Sequence, residues 1–496
     1  MCPPSLGEVA ITKHPPFDST REQLMPNPEQ DELIRVLEAA AHQAKIWIEN
    51  RSQVPVAPAA IAIPTPDLPG RGYGAEGAIE AFLQWARAGI TNSAGPNYFG
   101  FVTGGVLPGA LAGDWMASVI DQNAATSVTS PAASATEAVV IRWMLDLLGL
   151  PVKMTGVMTS GATMSNFLAL AAGRQAVGTA LGFDPTIDGL SGNPPIRVVT
   201  STEVHSSAVK ALGALGLGRG AMIHLPATGG AIDVDSLEIR LRENPQPCII
   251  IANASEVNTG QFDDLAAIAR LRDTYSPQSW IHVDGAFGAF AAVSPHTKHL
   301  LNGSEQADSL TADGHKWLNV PYDAGFVFYR DADAGRAAFT IQTAYQTRDG
   351  GFDADTMSLE FSRRFRALPA WCALYSIGRH GFRQVVEQSL ANANLLRELI
   401  ENDSGIELVN REAQLANPFC IVAFRITHES WSTEEADEAN GQAVNIVNSA
   451  GSSYVSGTIW QGRAAMRAAF VNWQTRAEHV RQLFADIQQA REQILG

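Results

Sequence analysis

Short apolar runs alternate with segments of helical periodicity between about residues 109 and 370. Strands that alternate with helices in this way form βαβ units and a mostly parallel sheet that is buried on both faces. The ligands of such sheets bind beyond the carboxyl ends of the strands, so polar residues at those ends are the first candidates for function. The strand candidates are 155–161, 196–202, 221–226, 248–254, 280–287 and 325–330, and the helix candidates between them include 165–178, 205–216 and 264–275.

The segments on either side of this region have a different character. Residues 1–108 contain an amphipathic helix at 31–51, a Pro-rich stretch after it and a further helical stretch near 79–88, which predicts an arm rather than a core-building domain. The C-terminal part contains helical runs and two apolar strands, CIVAFRI and SYVSGTIW, which predict a second, smaller α/β domain. The predicted division of the chain is therefore 1–108, 109–370 and 371–496.

The charge and the cysteines argue against several classes of function. The formal net charge of −16 at pH 7 disfavours nucleic-acid and anionic-membrane partners, because both require a basic surface. The four cysteines lack C-x-x-C spacing, which predicts a reducing compartment without disulfides or a zinc site; they are Cys2, Cys248, Cys372 and Cys420. The sequence has no apolar window of about 18 residues and no signal-peptide pattern, so we expect a cytoplasmic protein without a membrane-spanning helix.

Small residues connect the first strand candidate to the helix that follows it, in the sequence TSGATMSN. Small side chains at a helix start leave backbone N–H groups and the positive end of the helix dipole open to an anion. Gly161, Ala162 and Thr163 therefore form a candidate phosphate-binding site. The alternative is an ordinary helix cap without a ligand.

Two further polar residues stand at strand ends. His205 lies at a strand-to-helix corner, where a histidine is either a capping residue or a flat face for a heteroaromatic ring. Asp284 ends an otherwise apolar strand, and a buried carboxylate there requires a partner. That partner is a structural cation, a metal ion or a protonated ring nitrogen; the metal is disfavoured because no cluster of ligands at metal spacing accompanies Asp284.

Lys316 lies in the sequence TADGHKWLNVPYDAGF, between a histidine and a tryptophan and before a strand. A lysine held among aromatic residues has its pKa lowered by desolvation, which favours the nucleophilic free amine of a Schiff-base lysine. The alternative is a lysine that keeps its ammonium group in solvent.

Together these four features meet the requirements of one cofactor. Pyridoxal 5′-phosphate requires a phosphate site, an acid beside its pyridinium nitrogen, a surface on which its ring stacks and a lysine for its aldehyde. The chain supplies them in order at successive strand ends, from the Gly161 turn through His205 and Asp284 to Lys316. The sequence therefore predicts a pyridoxal phosphate enzyme.

Several motifs resemble those of the group II pyridoxal-phosphate-dependent amino acid decarboxylases, the family of the aromatic-L-amino-acid, glutamate and histidine decarboxylases. They are GPNYFGFVTGG, HVDGAF, DGHKW, SRRFRALPAW and GRAAMRAAFVNWQTR. The resemblance implies an α/β fold of the type I, aspartate-aminotransferase-like class, with a large, mostly parallel seven-stranded sheet domain and a smaller C-terminal α/β domain. It also implies a homodimer that decarboxylates an L-amino acid to the amine and CO2. The alternatives are an aminotransferase, an aldehyde synthase or a catalytically silent binding protein on the same scaffold.

The resemblance assigns roles to single residues on the cofactor side. Lys316 resembles the lysine that bonds the cofactor's aldehyde, Asp284 resembles the partner of the pyridine nitrogen, and His205 resembles the histidine that stacks on the ring and supports the chemistry. Further cofactor contacts are implied for Ala162, Thr163, Ala286, Asp313 and His315.

On the substrate side the resemblance implies three more residues. Thr103 lies where the family has a residue near the substrate carboxylate, and Tyr345 resembles the tyrosine that returns a proton to the substrate carbon. Arg364 belongs to an RRFR run that is a candidate for substrate contact.

One segment departs from the family pattern. Ser255-Glu256-Val257 stands where the family usually has Gly-Thr-Thr. Glu256 either enters the site, where its carboxylate favours a cationic substrate or alters the protonation of the cofactor, or turns away in a loop that packs differently.

Overall fold

The computed structural model describes residues 28–58, 67–341 and 350–496. The chain divides into two compact units, one drawn from Met1–Gln53 and Ala59–Ile90 and the other from Val54–Pro58 and Thr91–Gly496. The second unit includes both the large and the small domain predicted from the sequence, so the boundary between them stays a prediction.

The first unit contains two helices that contact each other, α1 (Pro28–Asn50) and α2 (Gly74–Ala86). They correspond to the helical patterns predicted near 31–51 and 79–88. Large apolar side chains of α1 remain exposed, among them Leu33 and Ile34. The helix pair therefore presents an apolar face that the described residues of its unit leave exposed.

The second unit alternates strands with helices, as predicted. Its strands are β1 (Thr155–Thr159), β2 (Arg197–Ser201), β3 (Met222–Leu225), β4 (Ala227–Thr228), β5 (Ala231–Ile232), β6 (Cys248–Asn253), β7 (Trp280–Asp284), β8 (Ser309–Asp313), β9 (Gly325–Tyr329), β10 (Ile406–Leu408), β11 (Ile421–Ile426), β12 (Ser456–Trp460) and β13 (Arg463–Ala469). Its helices are α3 (Pro108–Ile120), α4 (Pro131–Leu147), α5 (Ala162–Ala180), α6 (Ser206–Ala214), α7 (Val234–Glu243), α8 (Leu265–Tyr275), α9 (Ala332–Phe339), α10 (Ala367–Glu401), α11 (Arg411–Ala416), α12 (Thr433–Ala450) and α13 (Ala477–Leu495).

Seven of these strands form the large sheet, in the order β1-β9-β8-β7-β6-β2-β3. β9 is antiparallel to both of its neighbours, whereas the pairs from β8 to β3 are parallel. The prediction of a mostly parallel seven-stranded sheet is confirmed. All six strand candidates lie in it, and the seventh strand, β8, was not among them because its sequence SLTAD has no apolar run.

The sheet is buried on both faces, as a parallel sheet requires. In β6, Ile249 and Ile251 belong to one hydrophobic cluster, whereas Ile250 and Ala252 belong to the other. This alternation follows from the period of two along a strand. The carboxyl ends of the parallel strands thus meet at one edge, which positions the candidate site.

A second, four-stranded sheet has the antiparallel order β10-β11-β13-β12. α12 packs against it, α13 shares a hydrophobic cluster with its strands, and α10 contacts β10 and β11. The helical geometry of α10 is interrupted at Gly378, whose φ of 62° is in the left-handed region that glycine adopts readily. This sheet corresponds to the smaller α/β domain predicted from the sequence.

The connection between β8 and β9 carries Lys316 and is held at both ends. The backbone N–H groups of Gly314 and His315 both donate to the carbonyl oxygen of Ala324, at 2.9 and 3.2 Å. The segment just before α3 encloses the same connection, because Leu107 N donates to the carbonyl oxygen of Asn319 at 2.8 Å. The lysine therefore lies in a closed turn rather than in a free loop.

A buried ion pair joins α4 to the segment that precedes α10. Arg363 and Glu137 form a bidentate pair at 2.8 and 3.1 Å, and the same carboxylate accepts from Met158 N in β1 at 2.8 Å. Glu137→Gln leaves the buried guanidinium without its counter-charge, so the free energy of unfolding should fall by about 3–5 kcal/mol in a denaturant titration. The control is Asp146→Asn, which breaks the exposed pair with Arg379 and should cost about 1 kcal/mol or less. Equal losses in the two variants would contradict the prediction.

Candidate active site

The turns that follow the carboxyl ends of the sheet strands surround a cavity of about 340 Å³, a volume within the range of small-molecule sites. Ten of the residues predicted from the sequence line it. They are Gly161, Ala162, Thr163, His205, Glu256, Asp284, Ala286, Asp313, His315 and Lys316.

The start of α5 forms one end of this cavity. Ala162 N donates to Asp313 Oδ1 at 2.7 Å, while the next two N–H groups, of Thr163 and Met164, have no hydrogen-bond partner among the described residues. Gly161 has a φ of 150°, and a Cβ atom there would lie 2.9 Å from His315 Cε1. The turn thus leaves open N–H donors at a helix start, which suits a phosphate group.

Asp284 enters the cavity from the end of β7 and is 7% exposed. Its Oδ2 accepts from Asn166 Nδ2 at 2.8 Å, and its Oδ1 accepts from the backbone N–H of Ala286 at 3.2 Å. No salt bridge to this carboxylate occurs within the described ranges of the chain. The structural salt bridge considered from the sequence is therefore not what holds Asp284, and its charge is available to a cationic group of a ligand.

Lys316 reaches the cavity from the turn after β8. Its Nζ lies 3.3 Å from Asp313 Oδ2 and 5.6 Å from the centroid of the Phe287 ring. Burial opposes ionisation of Asp313, yet the charges of Lys316 and His315 hold the pKa of this carboxyl below its usual value. The amine thus has one carboxylate and one aromatic face as neighbours.

His205 both caps α6 and lines the cavity. Its Nδ1 accepts from the backbone N–H of Ser207 at 3.2 Å and lies 2.7 Å from Ser207 Oγ. Burial lowers the pKa of the imidazole, and nearby Lys316 lowers it further, against the opposing charge of Asp284. The two alternatives weighed from the sequence, a cap and a ring surface, are thus compatible in one residue.

Known proteins of one family resemble this chain over most of its length. The pyridoxal-dependent decarboxylase conserved domain matches residues 76–427. The chain belongs to the pyridoxal-dependent decarboxylase family. It is 29% identical over 417 residues to an aromatic-L-amino-acid decarboxylase of Bacillus atrophaeus, covering 82% of this chain and 83% of the relative. It is 23% identical over 425 residues to a phenylacetaldehyde synthase of Arabidopsis thaliana, covering 82% and 84%.

The fold agrees with this membership. The crystal structure of Oryza sativa TDC with PLP and tryptamine superposes with a TM-score of 0.86 at 23% identity, over 95% of this chain and all of that one (100%). The prediction of a type I fold is confirmed. Pyridoxal phosphate is the cofactor of this family, and the chain is accordingly a carboxy-lyase that acts on an amino acid.

The residues at the cavity fit this cofactor. The open N–H groups at the start of α5 suit its phosphate, the buried Asp284 carboxylate without a protein cation suits its ring nitrogen, and the Lys316 amine suits its aldehyde. This chain therefore has a partner for the phosphate, the ring nitrogen and the aldehyde of the cofactor.

Glu256 lines the cavity, but its carboxylate serves its own loop. Oε2 accepts from Asn258 N at 2.6 Å, while Oε1 accepts from the backbone N–H and the hydroxyl of Thr259, both at 2.5 Å. Burial raises the pKa of this carboxyl, although these donors oppose the shift. Of the two alternatives stated above, the geometry favours the one in which the carboxylate turns away from a ligand.

Two residues predicted for the substrate side, Thr103 and Arg364, do not line the cavity. Arg364 pairs with Asp114 at 2.6 Å and with Ser118, so it has no part in the site we propose. Thr103 lies near Tyr322, which does line the cavity. Tyr345 lies outside the described residues.

Sequence reasoning missed two residues at this site. Asn166 lies on the buried face of α5 and contacts Asp284; the predicted helix 165–178 also contains Gln175, so an amide there does not by itself mark the site. Tyr322 stacks on His315 with ring centroids 4.2 Å apart, a contact that its position in the sequence does not reveal.

The described parts of the chain contain neither a metal-binding cluster nor a helix suited to span a membrane. Across residues 28–58, 67–341 and 350–496, no cluster of three or more His, Cys, Asp or Glu side chains is arranged to hold a metal ion. None of the helices in these ranges is long and apolar enough to span a bilayer.

Proposed function

We propose that this decarboxylase acts on an aromatic L-amino acid and releases CO2 and the corresponding arylalkylamine. The observation that carries the proposal is a single cavity in which the Lys316 amine, the buried Asp284 carboxylate and the start of α5 meet. Bound pyridoxal phosphate supplies a ring that accepts the electron pair of the breaking C–CO2 bond.

The protein's own groups prepare this reaction electrostatically. Asp284 keeps positive charge at the ring nitrogen, and its burial strengthens that pairing. Asp313 Oδ2 lies 3.3 Å from Lys316 Nζ and orients this amine within the cavity. His205 is kept neutral by burial, so it presents an uncharged ring face within the cavity. The return of a proton to the substrate carbon is assigned to Tyr345 by family resemblance.

An aromatic substrate is supported by the side chains around the cavity. Phe287 and Tyr322 line it, and Tyr98 lies near Tyr322. Tyr98 itself stacks on Tyr454 at a centroid distance of 4.7 Å. Aromatic rings pack well against such faces and edges, and the aromatic-L-amino-acid decarboxylase relative supports the same substrate class.

A panel of amino acids tests the substrate class and the reaction outcome together. With added pyridoxal phosphate, the protein should release equimolar CO2 and amine from aromatic L-amino acids, and at least about tenfold less from glutamate, histidine and basic amino acids. Chromatography of the product distinguishes the amine from an aldehyde, the outcome that the phenylacetaldehyde synthase relative makes the second candidate. A preference for glutamate or a basic amino acid contradicts the proposed class, and aldehyde as the main product contradicts the proposed reaction.

A homodimer is part of the proposal. One face of α3 exposes large apolar side chains, with Trp115, Met116, Val119 and Ile120 between 38% and 54% exposed, and such a face favours a protein partner. A Met116→Glu/Val119→Glu double variant should shift the molar mass measured by light scattering from dimer to monomer. The control is Ile187→Glu, at an isolated side chain that is 81% exposed. A monomeric wild type, or a double variant that stays dimeric, contradicts the prediction.

The proposed location is the cytoplasm. Cys248 and Cys420 are buried free thiols within the hydrophobic core, which is typical of proteins that fold under reducing conditions. Cell fractionation of the native host checks this expectation.

A further inference from the structure

Asn166 joins three polar residues in the interior beneath the cavity. Its Nδ2 lies 2.8 Å from Asp284 Oδ2 and 2.9 Å from Ser207 Oγ, and its Oδ1 lies 2.9 Å from His282 Nε2. Asn166 and His282 are fully buried. An amide in this environment uses all of its hydrogen-bonding capacity inside the protein.

The direction of each hydrogen bond follows from the chemistry of the carboxylate. An ionised Asp284 can only accept, so the NH2 group of Asn166 faces Asp284 and the amide oxygen faces His282. His282 Nε2 must then carry a proton, which it donates to Asn166 Oδ1. His282 Nδ1, 3.0 Å from Ser309 Oγ, accepts from that hydroxyl.

The chain of donors extends in both directions from this pair. Ser309 Oγ also accepts from Trp280 Nε1 at 2.9 Å, so Ser309 can give its proton to His282. On the other side, Ser207 Oγ accepts the second N–H of Asn166 and gives its own proton to His205 Nδ1, 2.7 Å away. His205 Nδ1 is thereby occupied as an acceptor, and its proton resides on Nε2.

We propose that Asn166 is a positioning residue that fixes His282 as its Nε2–H tautomer, reinforces through Ser207 the same tautomer of His205 that the backbone N–H of Ser207 already favours, and directs the buried donors toward Asp284. The inference deepens the proposed function, since Asp284 and His205 are the residues assigned there to the cofactor. Asn166 acts through these two side chains and does not itself line the cavity.

One contact favours the opposite tautomer of His282, so the position of its proton tests the inference. The main-chain carbonyl of Ser309 also lies within reach of the His282 ring, and a bond to it would place the proton on Nδ1. Burial lowers the pKa of His282 to about 4, with Asp284 as the one titratable group that opposes the shift. The imidazole is therefore neutral near pH 7, where the two tautomers are distinguishable.

Long-range ¹H–¹⁵N NMR of protein labelled at histidine measures the tautomers directly. His282→Gln and His205→Gln assign the two signals, and spectra of the cofactor-free wild type do not depend on catalysis. Both rings should show a protonated Nε2 and an unprotonated Nδ1 at pH 7. A protonated Nδ1 on either ring overturns the inference.

A charge-changing variant tests the role of the amide itself. Asn166→Asp places a second carboxylate between His282 and Asp284, so the pH midpoint of His282 should rise by about two pH units. The pH midpoint of the visible absorption of the loaded enzyme should move with it. Asn440→Asp is the matched control, because Asn440 is a buried helical amide bonded to Ile426 in the four-stranded sheet region, and it should leave both midpoints unchanged.

The outcomes separate this inference from the proposed function. Unchanged midpoints in Asn166→Asp overturn the role of Asn166, even if Lys316→Ala abolishes activity as expected. If both rings carry their proton on Nε2 but the Lys316→Ala protein is still active, the role of Asn166 is supported and the proposed function is refuted. If Asn166→Asp does not fold, the tautomers of the wild type decide.

Discussion

Lys316→Ala is expected to lower kcat/KM by at least about 10⁴-fold, because no other amine can take over a covalent role in the cavity. Among the residues that the structure describes, Lys316 is the single lysine that lines the cavity. The variant should also lose the visible absorption band of the lysine-bound cofactor while still binding the cofactor through the start of α5. Activity assays and absorption spectra of the purified protein measure both effects.

Lys210→Ala is the control for this prediction. Lys210 is exposed on α6, so its loss removes an equal charge and side chain without reaching the cavity. The control should keep wild-type activity and spectrum. A Lys316→Ala protein with more than about one-tenth of wild-type activity would show that the assigned lysine is not the one that bonds the cofactor.

Asp284→Asn should lower kcat by about 10²–10³-fold, equivalent to about 2.7–4 kcal/mol of transition-state stabilisation. The amide keeps the size of the side chain and can accept from Asn166, but it has no charge to hold a proton on the ring nitrogen. Because Asp284 is 7% exposed, solvent screens this interaction little. Steady-state kinetics with saturating pyridoxal phosphate separate the loss of kcat from any loss of cofactor affinity.

The control for this variant is Asp264→Asn. Asp264 caps α8 through Ala267 N at 2.9 Å and does not line the cavity. It should lower thermal stability slightly and leave kcat unchanged. A kcat for Asp284→Asn within threefold of wild type would exclude a catalytic requirement for its charge.

The alternation of strands and helices was sufficient to predict the large sheet, because buried parallel strands are apolar runs that a sequence displays directly. β8 was missed since its Ser309 and Thr311 are polar yet fully buried; Ser309 bonds to Trp280 and His282, which only the folded structure brings near. β13 was missed for another reason: its sequence RAAMRAA consists of residues with high helix propensity, and pairing with β11 and β12 overrides that preference.

The candidate site could be predicted where a strand end supplies the functional residue. Asp284 ends β7, which was predicted, so its place at the site follows from topology, whereas Lys316 follows β8, which was not. Glu256 could not be resolved in this way, because its orientation depends on Asn258 and Thr259 in the same loop. Asn166 was also beyond reach, since only the tertiary structure places it between Asp284 and His282.

The antiparallel pairing of β8 with β9 has a consequence for how members of this family can diverge. A parallel crossover tolerates insertions, because its helix and loops absorb extra length. The eleven-residue turn 314–324 is closed by the hydrogen bonds of Gly314 and His315 to Ala324 and is enclosed by the segment ending at Leu107. An insertion or deletion within residues 314–324 would disturb the pairing register of β8 with β9. We therefore expect natural variants of this chain to conserve the length of this turn strictly, while their substrate-facing loops vary in both length and sequence.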